Sequence, residues 1–150
     1  MIRYGIIGCG SMGREHIENL QAMGPDAGVC VSALADPHDA SLDAARAICR
    51  EAPRVFPDHR ELLRSGLCDA VVIATPNFTH AQMLRDALAL PSLHILVEKP
   101  LVTRIADGLE VETWPDPGER PGAGQSRLTQ PRVEVHDDRG RGRGLRGTRH

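Results

Sequence analysis

A chain of 150 residues with a formal net charge of −2, 41% hydrophobic and 3% aromatic residues has room for one domain, or for a domain and a tail. So slight a charge gives no global attraction to nucleic acid or to an anionic membrane, and neither is expected as a partner. Cys9, Cys30, Cys49 and Cys68 are widely spaced, include no CxxC pair and fall where small buried residues belong; with no basic leader and no stretch approaching about 18 apolar residues, they predict a soluble cytoplasmic protein with free thiols.

In chain order, Met1 to Ile7 reads as a short apolar strand that runs directly into Gly8-Cys9-Gly10-Ser11-Met12-Gly13. Three glycines at this spacing after a strand and before a helix form a dinucleotide-binding fingerprint: Gly8 for a tight turn, Gly10 for approach of pyrophosphate to bare backbone, Gly13 for close packing of helix on strand. Residues 14–23 read as that helix, whose free N–H groups and positive dipole end would face phosphate. Residues 29–35 (VCVSALA) read as a second buried strand ending at Asp36. At about 20 residues past the glycines, Asp36 stands where an acid hydrogen-bonds the adenosine ribose. The competing reading is a helix N-cap, because Asp-Pro opens helices well.

Residues 41–51 have helical period and stop at Pro53. Val55-Phe56 is a brief strand, Asp58 the N-cap of a short helix through Leu63, and Gly66 its C-terminal breaker. Residues 69–74 read as a central strand that ends in Thr75-Pro76-Asn77. A helix over 80–90 follows, then a strand over 94–97 ending at Glu98-Lys99-Pro100, and then a helix over 104–112 capped by Thr103. This alternation predicts an α/β fold, a Rossmann-type doubly wound parallel sheet of about five strands with helices on both faces.

Taken together, the glycine motif, Ala35-Asp36-Pro37, Ala74-Thr75-Pro76-Asn77 with His80, and Val97-Glu98-Lys99-Pro100-Leu101 resemble the nucleotide-binding half of the Gfo/Idh/MocA family, over residues 1 to about 112. The resemblance implies an NAD(P)-dependent oxidoreductase acting on sugars, cyclitols and related alcohols, with a second, α/β substrate domain. By position, Gly8, Cys9, Gly10, Ser11 and Met12 would line the pyrophosphate, Gly13 would complete this cofactor-binding turn, and Asp36 would hold the ribose. Thr75, Pro76, Asn77, His80 and Glu98 would belong to the cofactor-binding end of the sheet. His80 reads equally as a surface histidine on the first turn of a helix. Lys99, the single lysine of the chain, would lie beside the nicotinamide and stabilise developing alkoxide charge; its alternative is a solvated strand end. NAD is expected over NADP, because Asp36 would face the extra phosphate and Pro37 and His38 supply no arginine. No metal is expected.

From Thr113 the composition changes. Residues 113–150 hold 11 Gly plus Pro, eight Arg and four Leu, Ile or Val, too little to bury a core, and are expected to be a disordered tail. Arginine, glycine and proline are what wrong frames of GC-rich DNA encode, so a frameshifted or truncated family member is one reading. An RNA-binding Arg-Gly tail at 139–144 is the other. The histidine base that the family carries in its second domain has no counterpart here, and His136-Asp137-Asp138 is a poor base or metal candidate. The expected function is therefore the NAD-binding half of an oxidoreductase that uses a polyol or sugar only in a full-length form, with a non-catalytic dinucleotide-binding module as the alternative. After Glu112 only a weak Val133-Glu134-Val135 strand is visible, so the strand over 94–97 is expected to keep an open apolar edge.

Overall fold

The computed structural model describes residues 1–111, 113–114, 133–136 and 143–144. The order is β1 (Ile2–Ile7), α1 (Ser11–Ala22), β2 (Val29–Ala35), α2 (Asp39–Ile48), β3 (Arg54–Phe56), α3 (His59–Arg64), β4 (Ala70–Ile73), α4 (His80–Leu88), β5 (His94–Glu98), α5 (Ile105–Val111), β6 (Val133–His136) and β7 (Arg143–Gly144). One-turn 3₁₀ helices at Pro25–Ala27 and Asn77–Thr79 are additions the apolar pattern does not announce, being too short to carry a period.

The strands align as β3-β2-β1-β4-β5-β6-β7, and the first five are parallel throughout. The order reverses between β1 and β4, and that crevice at the strands' C-terminal ends is where an open α/β sheet gathers its ligands. Successive strand residues point to opposite faces, which separates two cores. Ile7, Ala33, Ala35, Val71, Ile73, Ile95 and Val97 pack with Leu62 and Leu63 of α3 and Leu84 and Ala87 of α4. Ile6, Val31, Leu34 and Val72 pack on the other side with Ile17 of α1 and Leu42 and Ala45 of α2. All four residues of β4 are buried, as a strand covered on both faces requires.

Local signals act where the sequence puts them. Asp58 caps α3 by accepting a hydrogen bond from the Arg60 N–H at 2.6 Å, and Gly66 breaks the chain beyond it with φ +67°. Arg3 on β1 donates through its backbone N–H and its guanidinium to Asp69, at 2.9 to 3.1 Å, pinning the N-terminal ends of β1 and β4.

One expectation is corrected. The outer edge of β5 is not open: β6 runs parallel to it, with Ile95 opposite Val133 and Glu98 opposite His136, and β7 pairs antiparallel with β6. The pairing is made by backbone N–H and C=O groups, which any extended segment can supply, so a segment visible in the sequence only as the weak strand Val133-Glu134-Val135 serves as the partner. The remainder of the Arg- and Gly-rich stretch, including most of 139–144, lies outside the described residues.

Candidate dinucleotide site

The three glycines of the first turn have different surroundings. Gly8 has φ +92°, and a Cβ there would stand 2.6 Å from the Ala74 carbonyl oxygen and 2.8 Å from the Thr75 nitrogen. The turn after β1 therefore rests directly on the backbone after β4. At Gly13 a Cβ would collide with the Gly8 carbonyl, because α1 crosses the strand end at van der Waals contact. Gly10 is exposed, and a Cβ there would meet nothing within 4 Å. Two glycines are thus required by packing inside the protein; Gly10 is not.

Gly10 is also the N-cap of α1, which has no side-chain cap and no acidic residue in its first turn. Ser11 and Met12 are exposed there, so the helix end turns an uncapped set of N–H groups toward solvent. An open backbone cradle beside an uncapped helix end fits a pyrophosphate. Arg14 adds a cation: its Nη1 donates to the Cys9 carbonyl at 3.0 Å, which folds the guanidinium back onto the glycine loop. Cys9 itself is fully buried. Burial, reinforced by the Asp36 charge, pushes its thiol up to about 12, so it is a packing residue and not a nucleophile.

Asp36 follows β2 and is 9% exposed. It does not cap α2, whose N-cap is His38 without a side-chain bond; the capping alternative is overturned. One carboxylate oxygen accepts from the Cys9 N–H at 2.8 Å and the other from the His38 N–H at 2.9 Å. The acid is thereby locked against the glycine loop, and each oxygen keeps a lone pair for a further donor.

Across the crevice, Thr75 is half-buried and Pro76 and Asn77 are exposed. The Thr79 hydroxyl lies 2.7 Å from both the Thr75 Oγ1 and the Pro76 carbonyl, which closes the turn. His80 opens α4, but it is not a surface histidine. It is 0% exposed, with Nδ1 2.9 Å from the Pro100 carbonyl oxygen and Nε2 2.9 Å from the Thr75 carbonyl oxygen. The ring crosses from the loop after β4 to the loop after β5, a contact between residues 20 apart that helix periodicity cannot report.

Lys99 and Pro100 are exposed at the end of β5, joined by a cis peptide bond, while Glu98 is 6% exposed. Glu98 Oε1 lies 2.6 Å from Nε2 of His16, itself buried on α1. His16 and Arg14 are the residues sequence reasoning missed. Arg14 carried a signal, a cation one position past Gly13; His16 carried none, because its partner lies 82 residues away. Among the described residues no group of three or more His, Cys, Asp and Glu side chains is arranged to hold a metal ion.

Fold and site together define a Rossmann domain of the dinucleotide-binding class. Residues 2–114 match the oxidoreductase family with an NAD-binding Rossmann fold, and the chain belongs to that family, Gfo/Idh/MocA. Over 112 residues it is 38% identical to inositol 2-dehydrogenase 2 of Paenarthrobacter aurescens, covering 73% of this chain and 31% of that protein. It is 40% identical over 103 residues to inositol 2-dehydrogenase of Rubrobacter xylanophilus, covering 67% and 27%. Among solved structures, myo-inositol dehydrogenase from Lactobacillus casei in complex with NAD(H) and myo-inositol superposes with a TM-score of 0.72 at 26% identity, over 90% of this chain and 36% of that one. Scyllo-inositol dehydrogenase from the same organism, with NAD(H) and scyllo-inositol, gives 0.66 at 27%, over 75% and 32%. The chain spans about a third of the length of these relatives.

Proposed function

We propose that residues 2–114 are the dinucleotide half of an oxidoreductase that moves hydride between NAD and a polyol or sugar alcohol. In this reading the pyrophosphate lies over Gly8, Cys9 and Gly10 against the first turn of α1, where Ser11, Met12 and Gly13 supply N–H groups and Arg14 a nearby cation. Asp36 holds the adenosine ribose, and Thr75, Pro76 and Asn77 border the nicotinamide end. The relatives named for inositol oxidation, and the structural neighbours holding inositols, support a cyclitol-type substrate for the whole protein.

NAD, when bound, supplies the hydride acceptor; the chain's own part is binding, orientation and charge. Lys99 offers an ammonium that stabilises negative charge developing on the substrate hydroxyl. The base for the hydroxyl proton and the substrate pocket belong to a part of the whole protein beyond these residues. All four cysteines being free thiols supports a reducing compartment, the cytoplasm. Among the described residues no helix is long and apolar enough to cross a membrane.

The observation that carries the reading is Gly10: a glycine with open space above it, at an uncapped helix end, between two glycines that packing does require. Titration of NADH into the chain, followed by cofactor fluorescence, tests it. Saturable binding lost in Gly10→Ala while melting is retained is the expected result; equal binding by both forms would refute it.

A further inference from the structure

Lys99 is exposed, yet each of its sequence neighbours is held by a buried histidine from a different helix. On one side His16 Nε2, on α1, lies 2.6 Å from Glu98 Oε1. On the other, His80 Nδ1, at the start of α4, lies 2.9 Å from the Pro100 carbonyl oxygen while its Nε2 reaches Thr75 O. We propose that His16 and His80 are positioning residues that clamp the Glu98-Lys99-Pro100 turn, and so fix where the lysine ammonium is presented to the reacting centre.

The physical need is plain. A lysine has a flexible four-carbon stem, so the place and direction of its backbone set which positions its ammonium can reach. A displacement of about 1 Å at a reacting group can cost about 10²-fold in rate. The turn leaves the sheet at Glu98, and beyond it the parallel ladder of β4 and β5 no longer sets the backbone. The histidines take over that task. Their helices are also those on either side of the crevice: α1 begins at the open glycine turn and α4 follows Thr75-Pro76-Asn77. The clamp therefore ties the lysine to both ends of the proposed dinucleotide path. A carbonyl only accepts, so the ring donates to both loops when each nitrogen carries a proton, and with a single proton it donates to one loop and packs against the other. Both rings are buried, His80 completely and His16 at 8% exposure, so water competes poorly for these contacts.

This inference rests on the proposed role of Lys99, and its test separates the two. Lys99 is the single lysine, so reductive methylation with ¹³C-formaldehyde labels just its Nζ and the Met1 amine. In the NAD-free chain the dimethyl-Lys99 resonance is expected to be displaced, broadened or doubled in His16→Ala and Glu98→Ala, with the Met1 resonance unmoved. His16→Gln, which restores a donor toward Glu98, should return it toward the wild-type position. His80→Gln, which cannot hold both loops as the ring does, should disturb it from the other side. A Lys99 resonance identical to wild type in the folded His16→Ala and Glu98→Ala proteins overturns the clamp. Should these variants not fold, ¹⁵N relaxation of the unmodified wild type decides: Lys99 and Leu101 amides as rigid as those of β5 support the clamp, and order parameters below about 0.6 there overturn it. NAD titration of the wild type is the separate arm. Binding that shifts the Lys99 resonance supports the premise, whereas no binding overturns the proposal through its premise and not through its geometry.

Discussion

Gly8, Gly10 and Gly13 look alike in the sequence and differ in what a methyl group would do at each. Gly8→Ala forces a left-handed φ and a backbone clash with Ala74 and should destabilise the domain by at least about 1–3 kcal/mol. Gly13→Ala meets the Gly8 carbonyl and should act likewise, whereas Gly10→Ala should change stability by no more than about 1 kcal/mol. Chemical denaturation of the three variants should therefore rank Gly10→Ala closest to wild type, although it alone occupies the open cradle. Asp36 leads to a second expectation. Its carboxylate is fixed by two backbone N–H groups, so it cannot swing away from a ribose 2′-phosphate, and NADP should bind at least about tenfold more weakly than NAD. Comparative calorimetric titration checks this; equal affinities would contradict it. The thiols make a third case. Burial holds Cys9 up to about 12 and Cys68 up to about 11, so at pH 8 both should resist iodoacetamide in the folded chain and react in urea, as counted by mass spectrometry.

At the scale of elements, α3 is joined to α4 through one carboxylate. Asp86 accepts from Arg60 Nε at 2.9 Å and lies 2.7 Å from His59 Nε2. Burial alone would raise it, but the hydrogen bonds from His59 and Arg60 outweigh burial and hold Asp86 below the usual carboxylate range. A depressed carboxylate contributes stability above its unfolded-state pKa and loses that contribution as pH falls through the lower folded value. The α3–α4 contact should therefore weaken below about pH 4. Asp86→Asn should flatten the acid limb of a melting-temperature profile; an unchanged acid limb would exclude this linkage. These elements were largely legible in the sequence. Strand β2 falls at the residues its apolar run predicts, and α3 begins at its Asp58 cap. α1 starts three residues before its predicted beginning and α2 two before, because glycine and polar first turns hide helix starts from an apolar pattern. β6 was nearly invisible, since what places it is a neighbour's unpaired backbone.

For the whole molecule, the proposed division of labour predicts binding without turnover. The chain of 150 residues should take up NAD yet yield no NADH from inositols or related polyols. General-base assistance is worth about 10²- to 10⁴-fold, and loss of substrate positioning removes a comparable or larger factor. NADH formation at ordinary dehydrogenase rates would overturn this and direct the search for a base into residues 2–114. The sequence by itself determined the parallel α/β architecture and the family, and singled out the glycine turn, Asp36 and Lys99 as candidate site residues. Those follow from period, spacing and residue type, which are local along the chain. Only the tertiary structure decided that Gly10 alone among the three glycines faces open space and that Asp36 grips the glycine loop instead of capping α2. It likewise decided that His80 is buried between two loops, that His16 meets Glu98, and that β5 has a partner on its outer edge. Each of these is a contact between residues brought together by the crossovers of the sheet, and neither burial nor a hydrogen bond between distant residues leaves a periodic trace in sequence.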